Sequence, residues 1–208
     1  MSFLDEKIAK LQKIKKVAKK REILKAQQKN IEAEILPEIS QEEVTLAIEN
    51  GKLDYNGVEF EFENKDCFDG MITFPIIKNF FEDYLEDESK YLWNKEKNLN
   101  ILLSKINIAD KDRQKIDFNI VLEQLLKKNK LYVECSSIIE DLYMNYPRNI
   151  IKLRMPTAYD YMYQYIEMID LGDQCIILVF SCLERDKNKW EKIMIGISEL
   201  IKINEGDK

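Results

Sequence analysis

The sequence predicts an α+β fold: an antiparallel sheet of about six strands with flanking helices, preceded by a long N-terminal helix. Three observations predict it. Residues 4 to 35 contain no Gly or Pro and space their apolar residues at helical intervals. An Asn-Gly pair, Asn56-Gly57, sits between two short alternating segments. From Asn149 onward, extended segments meet at short turns instead of alternating with helices, and an amphipathic helix closes the chain.

In the first segment, Leu4, Ile8, Leu11, Ile14, Val17, Leu24, Ile31 and Ile35 recur at steps of three, four or seven. Ile14, Val17, Leu24 and Ile31 are the candidate oligomerisation residues, because Val17, Leu24 and Ile31 keep a heptad, although Arg21 and Gln28 interrupt the second seam position. Nine lysines and one arginine face five acidic residues here, so the segment is basic. It reads as a helical arm over residues 1–36, joined by a hinge at 37–50 to a body at 51–208. Docking on the body or a partner, dimerisation, and a membrane-surface or nucleic-acid contact stay open for it.

Within the hinge, Ser40 and Glu43 predict a capping box ahead of a short helix over 41–49, stopped by Gly51. Lys52–Tyr55 and Val58–Phe62 predict a hairpin, since Asn-Gly supplies the positive φ angles of a type I′ turn. Met71–Phe74 predicts a strand. Pro75 then opens a helix over 76–86 that buries Ile77, Phe80, Phe81, Tyr84 and Leu85. Strands follow at Lys90–Trp93 and Leu99–Ile106, then an amphipathic helix over 112–128 with Ile116, Ile120, Val121 and Leu125 inward, then a strand over Leu131–Ile139. Segments 149–155, 158–170 and 174–184 predict three strands. A helix over 187–203 presents Trp190, Ile193, Met194, Ile197, Leu200 and Ile201 on one face.

Composition narrows the chemistry. Of the 208 residues, 45% are apolar, enough for a core, and 34% are charged, with a net charge of −6 that disfavours a nucleic-acid partner. No stretch has the roughly 18 apolar residues of a membrane span, so no stable membrane insertion is expected. Neither is a signal peptide, and a soluble, cytoplasmic protein is the expectation. The sequence has no His, which removes Ser-His and Cys-His pairs and the commonest metal ligand. No Walker loop, G-x-S-x-G elbow or G-x-G-x-x-G occurs. Cys67, Cys135, Cys175 and Cys182 form no C-x-x-C pair, so reduced structural thiols are expected, with no metal and no cofactor. Carboxylates are abundant, but the cluster Glu82, Asp83, Glu86, Asp87, Glu88 reads as a solvated face.

The candidate binding surface is a tyrosine row. On a strand, Tyr159, Tyr161, Tyr163 and Tyr165 project to one face. Phenols in line offer apolar area and hydroxyls that want partners, as at interfaces. The competing reading packs the same row under the C-terminal helix.

The segment Cys67-Phe-Asp-Gly-Met-Ile-Thr-Phe-Pro75, the aromatic strand Tyr91-Leu-Trp93, and the closing strands with a helix near Trp190 together resemble the PsbP/Mog-like superfamily, and within it the DcrB-like branch, over about residues 50–203. The N-terminal arm is a departure. The resemblance implies a central antiparallel sheet and a non-enzymatic binder. Some DcrB-like proteins are chaperones or adaptors of type VI secretion effectors, shielding apolar client helices. The resulting expectation is a bacterial, non-catalytic chaperone or adaptor whose partner is another protein, such as an apolar helix of a secreted effector, with a homodimer left open. A structural subunit of a secretion or phage-like assembly and a small carboxylate-dependent hydrolase are the alternatives.

Overall fold

The structure, a computed structural model, describes residues 39–96, 98–108, 134–157 and 160–204. The predicted N-terminal helix, with Ile14, Val17, Leu24 and Ile31, and the predicted helix over 112–128 lie outside these residues. The chain divides into two units, Met1–Ile39 and Ser40–Lys208, and every element below belongs to the second.

Helix α1 spans Gln41–Glu49. Ser40 caps it: the Glu43 amide donates to Ser40 Oγ at 3.2 Å and the Ser40 amide donates to Glu43 Oε2 at 2.8 Å. Gly51 leaves it with φ +82°, the left-handed exit that glycine allows. Strands β1 (Lys52–Tyr55) and β2 (Val58–Cys67) pair across Asn56-Gly57, whose φ angles of 54° and 73° are those of the expected turn.

β3 spans Ile72–Ile77, β4 Asp83–Glu86 and β5 Lys90–Asn94. The helix predicted over 76–86 is absent. Ile76 and Ile77 extend β3, Asn79 turns at φ 54°, and β4 pairs antiparallel with β5. The helical spacing of Ile77, Phe80, Phe81, Tyr84 and Leu85 was outcompeted by sheet pairing. Pro75 is tolerated inside β3 because of its parity. Lys78 donates to the Glu61 carbonyl, so Ile76 and Phe74 bond toward β2 while Pro75 points the other way. There β11 (Lys202–Ile203) reaches only Ile72 and Thr73, so no ladder bond is lost.

β6 is Leu99–Asn107, β7 Glu134–Tyr143, β8 Tyr146–Pro156, β9 Tyr161–Asp170 and β10 Gln174–Leu183. Helix α2, Lys187–Glu199, follows a single 3₁₀ turn. Two sheets result, β1-β2-β3-β11 and β4-β5-β6-β10-β9-β8-β7, so the expected six-stranded sheet is a pair of sheets with four and seven strands. The C-terminal helix ends at Glu199, short of the predicted 203, because Leu200 and Ile201 tighten onto Ile197 and Ser198 and the chain turns into β11.

The inner face of the seven-stranded sheet follows the register. Trp93 opposes Ile101, Ile101 opposes Phe180, and Phe180 opposes Tyr165. All four are buried. α2 lies over this face and also packs on β3. Trp190 fills the junction, edge-on to Phe60 of β2 at 5.7 Å and Phe80 at 5.4 Å. Phe74 meets Trp93 at 5.5 Å between the sheets. On the opposite face, Ile151, Leu153, Met168, Cys175 and Ile108 form a second apolar cluster.

α1, placed in a hinge by the sequence, packs against α2 at Gly196. A Cβ there would stand 2.7 Å from Ile48 Cδ1 and 3.4 Å from Thr45 Cα. Ile48 Cδ1 can swing aside, and alanine adds about 1 kcal/mol of helix propensity. Gly196→Ala is therefore expected within about 1 kcal/mol of wild type, while Gly196→Leu overpacks the crossing and loses about 1–3 kcal/mol. Thermal unfolding followed by circular dichroism separates the two.

Candidate functional site

A run of polar side chains lies between α2 and strands β7, β8 and β9. Tyr163 and Tyr165 are 1% and 2% exposed. Tyr163 donates to Glu191 Oε1 at 2.7 Å, and Lys152 Nζ donates to the same oxygen at 2.9 Å. Burial pushes the Glu191 carboxyl up, but these donors prevail and hold it below its ordinary value. Tyr165 shares a 3.1 Å bond with Ser198 Oγ, and Ser198 donates to Glu167 Oε2 at 2.5 Å. Arg148 places Nε and Nη2 on the two oxygens of Asp141 at 2.7 and 2.5 Å. That fork lowers the Asp141 pKa. It leaves only Nη1 for Glu167, at 3.5 Å. Burial therefore dominates at Glu167, whose pKa is pushed up to about 7 against the opposing pull of Ser198 and Arg148.

This seam binds the fold together and offers no open chemistry. Glu167 has no exposed surface, and the nearby carboxyls Asp141 and Glu191 are lowered, not raised. Among the described residues no group of three or more Cys, Asp and Glu side chains is placed to hold a metal ion. Burial pushes the Cys67 and Cys182 thiols up to about 12 and Cys175 up to about 11, so these sulfurs stay protonated and unreactive at neutral pH. In the acidic cluster, Asp87 Oδ1 accepts from the Ser89 and Lys90 amides, Asp83 from Asn94, and Glu82 from Lys95. These carboxylates order a turn and a strand edge.

The tyrosine row is thus mostly closed. Tyr163 and Tyr165 are core residues beneath α2, and this corrects their reading as an open platform. Each hydroxyl has its partner on α2, at Glu191 and Ser198. Tyr161 is 38% exposed, with the Arg154 guanidinium 3.8 Å above its ring. Tyr159 lies outside the described residues.

The apolar surface that stays open is the sheet edge formed by β7 and its turn. Ile138, Ile139, Leu142 and Met144 are 43%, 44%, 69% and 54% exposed. Ile138 and Leu142 face one side of the sheet and Ile139 the other. The edge is held firmly. Tyr143 donates from its hydroxyl to the Glu199 and Ile201 carbonyls at 3.0 and 2.5 Å, and the Arg148 guanidinium lies 4.9 Å from the Tyr143 ring. Among the described residues no strand pairs with the outer side of β7, and an edge strand carrying exposed apolar side chains is a template for another chain. Sequence reasoning ended this strand at Ile139 and missed the edge. The signals were present: apolar residues at both parities, and Met144-Asn145 ahead of Tyr146-Pro147 as a turn.

No family model matches the sequence, and no curated protein matches it. Solved structures do match. The solution structure of cyanobacterial PsbP (CyanoP) from Synechocystis sp. PCC 6803 aligns with a TM-score of 0.55 at 6% identity, over 69% of this chain and 92% of that one. A point mutant of protein Mog1 aligns with a TM-score of 0.50 at 11% identity, over 70% and 97%. The fold is PsbP/Mog1-like. At these identities the PsbP/Mog1-like match fixes the arrangement of strands and helices alone. Among the described residues, no helix of this PsbP/Mog1-like chain is long and apolar enough to cross a membrane.

Proposed function

We propose that this PsbP/Mog1-like chain is a non-catalytic protein-binding module of the adaptor or chaperone type, and that the β7 edge is where it takes another polypeptide. The exposed set Ile138, Ile139, Leu142 and Met144 on a rigid edge strand carries the reading. An edge strand gives affinity through main-chain hydrogen bonds, and its flanking apolar side chains add burial on both faces. Burial contributes about 25 cal/mol per Å² before the costs of association. Membership of the DcrB-like branch, a cytoplasmic location and a client with apolar segments, such as a secretion effector, belong to this same reading.

A photo-crosslinking amino acid placed at Leu142 in the native host tests it. Polypeptide adducts are expected at Leu142 and not at the exposed control position Glu88, and adding Ile139→Lys on the same edge strand should remove most of them. Equal labelling at both positions, or steady turnover of a small molecule by the purified chain, would sink the proposal.

A further inference from the structure

The direction in which each β7 residue turns its backbone can be read from the hairpin. Met144 and Asn145 have φ of 50° and 70°, so β7 and β8 join through a two-residue type I′ turn closed by the hydrogen-bonded pair Tyr143 and Tyr146. Hydrogen-bonded and non-hydrogen-bonded pairs alternate from there. Asp141 with Arg148 and Ile139 with Ile150 exchange bonds. Leu142, Glu140 and Ile138 instead turn their N–H and C=O toward the free edge. Pro147, which has no N–H, stands opposite Leu142, as this parity requires.

Of the usual guards of an edge, the middle of the strand carries only the acidic pair Glu140 and Asp141. β7 contains no Lys, Arg or Pro, and its one irregularity lies at Cys135/Ser137, near its beginning. Resting on the reading of β7 as a binding edge, we propose that the polypeptide it takes is β7 of a second copy of this chain, paired antiparallel about a two-fold axis at Ile139.

Symmetry, charge and backbone direction together choose this register. A strand pairing with itself about an axis perpendicular to the sheet opposes residues of equal parity, because opposed side chains share a face. Centring on Glu140 or Asp141 sets a carboxylate against itself, which is destabilising. Centring on Ile139 sets Ile139 against Ile139, Ile138 against Glu140 and Ser137 against Asp141, with no like charges opposed. Ile138 and Glu140 are also the residues whose outward backbone groups can exchange bonds in both directions. Centring on Ile138 sets Glu140 against Ser136, inside the irregularity at Cys135/Ser137, and leaves Ile138 alone with a regular outward partner. In the Ile139 register Ile139 covers its own copy on one face, Ile138 lies diagonal to its copy on the other, and two seven-stranded sheets become one.

Ile139 is then a non-hydrogen-bonded pair with itself, where Cα atoms approach to about 4.5 Å and a disulfide can close. The test uses the full chain carrying Cys135→Ser, to remove the exposed native thiol, with Ile139→Cys or Ile138→Cys. Mild oxidation should link most Ile139→Cys chains into dimers and at least about tenfold fewer Ile138→Cys chains, judged on the close-pair geometry. Sedimentation of the unmodified chain should show twice the monomer mass, and Leu142→Lys, at a position 69% exposed and so safe for folding, should shift it to monomer. A chain that sediments as a monomer and gives no Ile139 disulfide overturns the dimer. Leu142 crosslinks to a different protein would then leave the binding-edge reading standing. A dimer that ignores Leu142→Lys and Ile139→Lys overturns β7 as the interface.

Discussion

Trp190→Ala is expected to remove about 3–5 kcal/mol of folding stability, in the range for truncating a fully buried aromatic residue. Trp190 has no exposed surface. It stands where α2 crosses from the seven-stranded sheet to the four-stranded one, with Phe60 and Phe80 edge-on. Alanine would leave a void that α2 cannot fill without losing its seat on β9 and β10, so the two sheets would lose their common support. Domains of this size have about 5–15 kcal/mol in total, so the variant should populate unfolded chains measurably at room temperature. Trp190→Phe should lose much less, because the indole N–H meets no acceptor among the described residues and only ring area is given up. Urea unfolding followed by circular dichroism measures both. A loss below about 1 kcal/mol for alanine would show that the core is organised elsewhere.

The second large effect depends on pH. Glu167 has a folded pKa near 7, above its ordinary 4.5. Below pH 4.5 it is protonated in both folded and unfolded chains. Between pH 4.5 and 7 the unfolded chain loses this proton while the folded chain keeps it, so the folded state loses stability as pH rises. Above 7 both are ionised and the loss is complete, at roughly 3 kcal/mol as an upper figure. Glu167→Gln keeps an acceptor for Ser198 Oγ and abolishes the titration. At pH 8 the variant should be more stable than wild type by about 1–3 kcal/mol, and at pH 5 the gap should shrink to below about 1 kcal/mol. Asp141 and Glu191 do not confound the comparison. Their lowered pKa values act in the opposite sense and below their ordinary range. Urea midpoints at the two pH values decide it, and parallel curves for both proteins would remove Glu167 from the account.

Much of this architecture was legible where local chemistry decides. The Ser40–Glu43 box, the Asn56-Gly57 turn and strands β5, β6, β8, β9 and β10 follow from side-chain type and spacing within a few residues. The segment 76–86 did not, because its aromatic spacing suits a helix in isolation while β5 offered an unpaired edge to join. Nor did the division into two sheets, which depends on which strands find each other across long sequence separations. The tyrosine row shows the same limit at the level of the site. Alternation placed Tyr163 and Tyr165 on one face correctly, but only Glu191 and Ser198, arriving on a helix some 30 residues later, determine whether that face is wet. The edge at Ile138–Met144 was missed for a related reason: exposure on a strand is set by what packs there from distant parts of the sequence, and no local pattern encodes that.

Tyr143 gives the molecule one mechanical property of note. Its hydroxyl anchors the β7–β8 ribbon to the carbonyls that leave the final turn of α2, while the four-stranded sheet receives the chain directly afterward through β11. Tension applied at the outermost ribbon therefore has, beside the β8–β9 ladder, a second path through this phenol to β11 and on to β3, a sheet away.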